Sequence, residues 1–146
     1  MSILSRFITA NHHYNLAINA VEHHRYSRAL AEFNRTLQLN PRYTLAFINR
    51  GKLQQQALGH NRQAAADFER ALKLDPHDNQ TRYRLAVLYG TLADYQKSAR
   101  HFRRIMILVR WTQKAGAQAA LRDYDAKRYR QSARELHRIL AKLDFH

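Results

Sequence analysis

The sequence predicts an all-α fold, a stack of antiparallel helix pairs. Three observations carry this. A motif recurs: Lys97 to Ile105 reads KSARHFRRI and, 34 residues on, Gln131 to Ile139 reads QSARELHRI. Apolar residues fall at helical spacing in runs separated by short turns. The 146 residues include only four glycines and two prolines, too few for the turns of an all-β chain. Leu, Ala, Arg, Gln and Lys abound, and all are good helix formers.

The motif extends backward into a four-fold repeat. Tyr26, Asn61, Tyr95 and Tyr129 hold one place, at steps of 35, 34 and 34. Ala29, Ala64, Ser98 and Ser132 hold a second, and Phe33, Phe68, Phe102 and Leu136 a third. Residues 1–9 precede the repeats as a leader or cap, with Ile3, Leu4, Phe7 and Ile8 on one helical face. The units then span residues 10–43, 44–78, 79–112 and 113–146, and together make a single domain over 10–146. Each unit reads as two amphipathic helices. In the first, LQLNP ends the second helix, because Pro41 cannot continue it. In the second, the helices flank LGHN, where Gly59 suits a helix end, and LKLDP closes at Pro76. One extra residue between Gly51 and Gly59 implies a longer helix, a bulge or a looser turn. The third unit offers Leu85, Ala86, Tyr89, Ser98, Phe102 and Ile105. The fourth keeps Tyr129, Ser132, Leu136 and Ile139 but no closing proline.

With Gly51, Gly59, Ala64, Phe68, Ala71 and Pro76, the second unit resembles the tetratricopeptide repeat; Leu16, Ala17, Ala29, Phe33 and Pro41 extend the resemblance to the first. It covers about nine-tenths of the chain. It implies a right-handed superhelical solenoid with a concave groove. Small residues at Ala17, Gly51, Ala86 and Ala120 let paired helices approach, and the Phe33 column fills the space between pairs.

In that family the first helix of each unit lines the groove. The resemblance therefore places Asn15, Asn49, Arg84 and Gln118 in one inward column. Tyr14, Ile48, Tyr83 and Ala117 form a second, and Ile18, Lys52, Val87 and Leu121 a third. Amides both donate and accept, so they suit a peptide backbone. Tyrosines give flat apolar area with a polar tip. Lys52, Arg84 and Lys114 would favour acidic segments or helices. A chaperone-tail clamp, which some members carry, is not expected. Asn49 and Arg84 match two of its five positions, but Tyr14, Ile18 and Gln80 occupy the others.

The formal net charge is +14. Residues 1–79 hold ten Lys/Arg against six Asp/Glu, and residues 80–146 fifteen against five. The excess belongs to second helices, which face outward in this family, and marks Lys97, Arg100, Arg103, Arg104, Arg130, Arg134 and Arg138 as a basic convex face. Arg35, Arg70, Arg104 and Arg138 form a ladder that the family tolerates. The column Ala31, Ala66, Arg100, Arg134 is more telling, because arginine replaces alanine in the later units. Such a face suits an acidic protein, nucleic acid or an anionic membrane surface. Ile105 to Val109 is apolar all round and needs cover on several sides, by neighbouring units or by a partner at Ile107 and Val109. A final unit without a polar cap would expose Leu136, Leu140, Leu143 and Phe145 for self-association.

No enzyme is expected. Cysteine is absent, no glycine-rich phosphate loop or nucleophile motif appears, and the nine histidines show no ligand spacing. No cofactor or metal is implied. No membrane span or secretory signal is visible, which with the missing cysteine points to the cytoplasm or another reducing compartment. The expected work is that of a protein-binding scaffold: an adaptor, assembly factor or small subunit of a larger complex. Two other readings are an RNA-associated or ribonucleoprotein subunit using the basic face, and a peripheral subunit of a membrane complex.

Overall fold

A computed structural model describes residues 1–108 and 116–142. These residues contain eight α-helices and no strand. They are α1 Ile3–Glu22, α2 Tyr26–Leu39, α3 Thr44–Gln56, α4 Asn61–Leu74, α5 Asn79–Thr91, α6 Tyr95–Leu108, α7 Ala117–Asp125 and α8 Tyr129–Lys142. They pack as antiparallel pairs within two compact units, Met1–Pro76 and His77–His146.

In the first unit, α1 packs on α2, α3 on α4, and α2 also on α3. The leader does not stand apart: residues 3–9 are the first two turns of α1. Ser2 caps that helix, its hydroxyl accepting from the Ser5 N–H at 3.1 Å. Phe33 and Phe68 are fully buried, each worth about 1.5–3 kcal/mol of transfer free energy. Gly51 is required by this packing. A Cβ there would stand 2.8 Å from Cε1 of Phe68. Asn40 and Asp75, each before a proline, are extended, as the proline ring demands, so α2 and α4 end there. The extra residue of the second repeat falls in the turn. α3 and α5 both have 13 residues, but four residues join α3 to α4 and three join α5 to α6. Gly59 takes φ +67° in the longer turn.

In the second unit, α5 packs on α6 and α7 on α8, while between these pairs α6 packs mainly on α8 and only slightly on α7. α7 is short, with 9 residues. Phe102, Ile105, Met106, Leu136 and Leu140 form the buried centre. One expectation changes here. Leu136 and Leu140 are buried against the unit's own helices, so they offer no exposed apolar flank; Leu143 and Phe145 lie outside the described residues. Within the apolar run, Ile105 and Met106 are fully buried and Ile107 is 40% exposed, while Val109 lies outside the described residues.

Candidate partner-binding surfaces

α1 and α3 carry the residues expected to face inward in the first unit. Tyr14 stacks on Tyr43 at 4.9 Å between ring centres. Its hydroxyl accepts a 2.7 Å hydrogen bond from Nδ2 of Asn49, and Tyr43 donates at 2.8 Å to Asn11. Burial, reinforced by Tyr14, pushes the Tyr43 phenol pKa up. Beside it, Ile18, Asn49, Lys52, Leu53 and Gln56 line a pocket of about 340 Å³. Two of the expected columns, that of Asn49 and that of Ile18 and Lys52, thus meet at one concavity. Tyr14 and Lys52 are half-buried, and Asn15 is exposed.

The columns expected to face inward in the second unit behave differently. Tyr83 is only 9% exposed. Its ring packs edge-on against Phe102 at 5.8 Å and against His137 at 5.7 Å. The flat platform expected of Tyr83 is therefore covered, because α8 reaches over α6 and brings His137 with it. Arg84 is half-buried and Gln118 exposed; Lys114 lies outside the described residues. A larger concavity, about 1290 Å³, lies where the α5–α6 and α7–α8 turns adjoin, and neither Tyr83, Arg84 nor Gln118 lines it. Its rim carries both signs of charge, including Asp94, Asp123, Lys127 and Arg134.

The seven basic-face residues divide by partner. Lys97 pairs with Asp94 at 3.3 Å, and Arg138 with Glu135. Arg138 holds the Glu135 carboxyl below its ordinary pKa through their hydrogen bond. Arg103 lies over the Tyr124 ring at 5.2 Å and Arg130 over Tyr95 at 5.4 Å. Arg100, Arg104 and Arg134 are exposed and have no ion pair among the described residues. Ala31 and Ala66, their counterparts in the Arg100–Arg134 column, are exposed as well, so packing does not require arginine there.

Two features escaped the sequence. Arg82 and His101 join the basic residues of α6, as described below. His137 stacks on Phe102 at 5.2 Å. A third patch lies on α1, where Ile3, Leu4, Phe7 and Ile8 are 75%, 70%, 52% and 63% exposed. Among the described residues, no three His, Asp or Glu side chains converge as metal ligands would, and no helix is long and apolar enough to cross a membrane.

Residues 46–78 match the tetratricopeptide repeat family model. No curated protein sequence matches the chain. Solved structures do match in fold. The tetratricopeptide domain of Arabidopsis OM64 superposes with a TM-score of 0.62 at 18% identity, over 84% of this chain and 98% of that one. The TPR2B domain of yeast Sti1, in its pHsp70 complex, gives 0.63 at 13% identity, over 90% and 98%. The Yersinia enterocolitica type III secretion chaperone SycD, with a peptide of the translocator YopD, gives 0.62 at 15% identity, over 86% and 90%. This chain has the tetratricopeptide-repeat fold, and its second helix pair carries the repeat in sequence as well.

Proposed function

We propose that the chain is a non-catalytic protein-interaction scaffold, an adaptor, assembly factor or small subunit, that holds a partner segment on the inward face of α1 and α3. The carrying observation is the pocket where Ile18, Asn49 and Lys52 meet. Asn49 gives one amide proton to Tyr14, and its carbonyl oxygen has no partner among the described residues, so it can accept from a peptide N–H. Lys52 supplies positive charge and favours an acidic segment. Two of the structural relatives named above are complexes, one with a pHsp70 and one with a translocator peptide, which supports a segment as the ligand. Affinity purification with quantitative mass spectrometry tests this reading. Asn49→Ala with Lys52→Glu should remove a specific co-purifying protein that Asn15→Ala retains. Full retention by the double variant would sink the groove assignment.

A second reading rests on α1. Its uncovered Ile3, Leu4, Phe7 and Ile8 sit beside Arg6, and no acid occurs before Glu22. Such a face suits shallow insertion at an anionic membrane surface, as a peripheral subunit would need. Vesicles rich in phosphatidylglycerol should bind the chain and lose it on Phe7→Ser. Equal binding to neutral vesicles would reject this reading.

A further inference from the structure

Arg100 and Arg104 lie on one face of α6, four residues apart. Charged helical faces are ordinarily balanced by acids three or four residues away. The neighbours of Arg100 at those distances are Gln96, Lys97, Arg103 and Arg104; those of Arg104 are Arg100, His101, Ile107 and Leu108. None is acidic. The two arginines instead line a pocket of about 230 Å³ with Arg82, His101, Arg103 and Ile107. Arg82 stands on α5, the others on α6, so the pocket belongs wholly to the second unit. Among the described residues, no acidic side chain lines it.

Arg82 and Arg104 repel each other across this pocket. Burial, and next the charge of Arg104, push the Arg82 pKa down. Asp78 acts in the opposite direction while its carboxylate accepts from the Thr81 N–H at 3.0 Å and the Thr81 hydroxyl at 2.5 Å. His101 is held by stacking on Tyr89 at 5.8 Å, and Arg103 by the Tyr124 ring. Two side chains of the cluster are thus oriented by aromatic rings.

We infer that the Arg82–Arg100–His101–Arg103–Arg104 pocket binds a phosphoryl group. Guanidinium forks match the oxygens of a phosphate dianion, and a dianion offsets the mutual repulsion of the cluster. A compact pocket suits one phosphoryl group better than a nucleic-acid strand, which would need a row of phosphate contacts. The group would be free phosphate or the modified side chain of a protein segment. This inference stands apart from the α1–α3 groove.

Titration of the full chain with inorganic phosphate at fixed ionic strength, followed by NMR, tests it. Saturable shifts should centre on Arg82, Arg100, His101 and Arg104. Arg100→Gln and Arg104→Gln should each weaken binding roughly tenfold, the loss of one charge-assisted contact. Arg138→Gln, outside the pocket, should change nothing. Arg104→Lys keeps the charge without the fork and should fall between. A phosphoserine peptide binding more tightly than phosphate, with its unmodified form silent, assigns the group to a protein; equal binding assigns it to free phosphate. Shifts that never saturate, or an equal loss with Arg138→Gln, would overturn the proposal. So would RNA binding that grows with length and depends as strongly on Arg130 and Arg134 as on Arg100.

Discussion

The Ser98 hydroxyl donates to the main-chain oxygen of Ala86 at 2.8 Å, and Ser132 makes the same bond to Ala120 at 2.7 Å. Both bonds are buried and cross from the second helix of a pair to the first. In the earlier pairs the equivalent residues are Ala29 and Ala64, also buried. The serine of the recurring motif is thus an added tie between helices. Its acceptor lies inside a helix and keeps its intrahelical bond if the hydroxyl is lost. Ser98→Ala should therefore cost about 1 kcal/mol or less in urea denaturation. A cost of about 3 kcal/mol would mean the hydroxyl satisfies something more than this carbonyl.

Residues that recur for packing were legible because packing is periodic. Ala17, Gly51, Ala86 and Ala120 are all buried where helices approach, and Phe33, Phe68, Phe102 and Leu136 fill the interior. Which cations are balanced was not legible. That depends on the distance between side chains on different helices, as for Arg50 with Asp67, or around a turn, as for Arg128 with Asp123. The covering of Tyr83 was hidden for a related reason. It follows from α6 packing on α8, whereas in the first unit α2 packs on α3. An alignment of repeats assumes the same neighbours throughout, so it placed Tyr83 with Tyr14.

Arg50 joins three helices of the first unit. Its guanidinium binds Asp67 twice, at 2.8 and 2.6 Å, and Asn34 at 2.7 Å. Asp67 is only 5% exposed, so it depends on that partner. Arg50→Ala should destabilise the chain by about 3 kcal/mol, because a buried carboxylate is left alone. Replacing both, Arg50→Met with Asp67→Leu, should recover most of the loss. Arg50→Lys should recover only part of it, lacking the fork. A coupling below about 0.5 kcal/mol in the double-mutant cycle would show the pair to be incidental.

Three turns between paired helices contain a non-glycine residue in the left-handed region: His24 at φ 56°, Ala93 at 60° and Lys127 at 59°. Each is the middle residue of a three-residue connection. A side chain there costs about 1–2 kcal/mol, partly offset by the smaller entropy of its unfolded chain. Ala93→Gly should raise stability by about 0.5–1 kcal/mol. Gly59→Ala should lower it, although no neighbour lies within 4 Å of its Cβ position, because φ there is +67°. Thermal or urea unfolding of both variants checks the signs. A less stable Ala93→Gly chain would contradict the strain argument.

His137 stacks on Phe102 and meets Tyr83 edge-on, an apolar surrounding that disfavours the imidazolium. Burial lowers its pKa below the ordinary 6.5. The sign follows from proton counting. As pH falls toward and through 6.5, the unfolded chain takes up a proton at this position before the folded chain does. Stability should then fall with falling pH, by no more than about 1.4 kcal/mol per pH unit for one proton, and level off below the lowered folded value. The chain holds eight other histidines, so the informative quantity is a difference. Subtracting the pH-stability curve of His137→Phe from that of the natural chain should isolate this site. The variant should lose less stability than the natural chain as pH falls below 6.5. Parallel curves from neutral to acid pH would show that His137 titrates alike in the folded and unfolded chains, and that its stacking on Phe102 does not exclude the charged form.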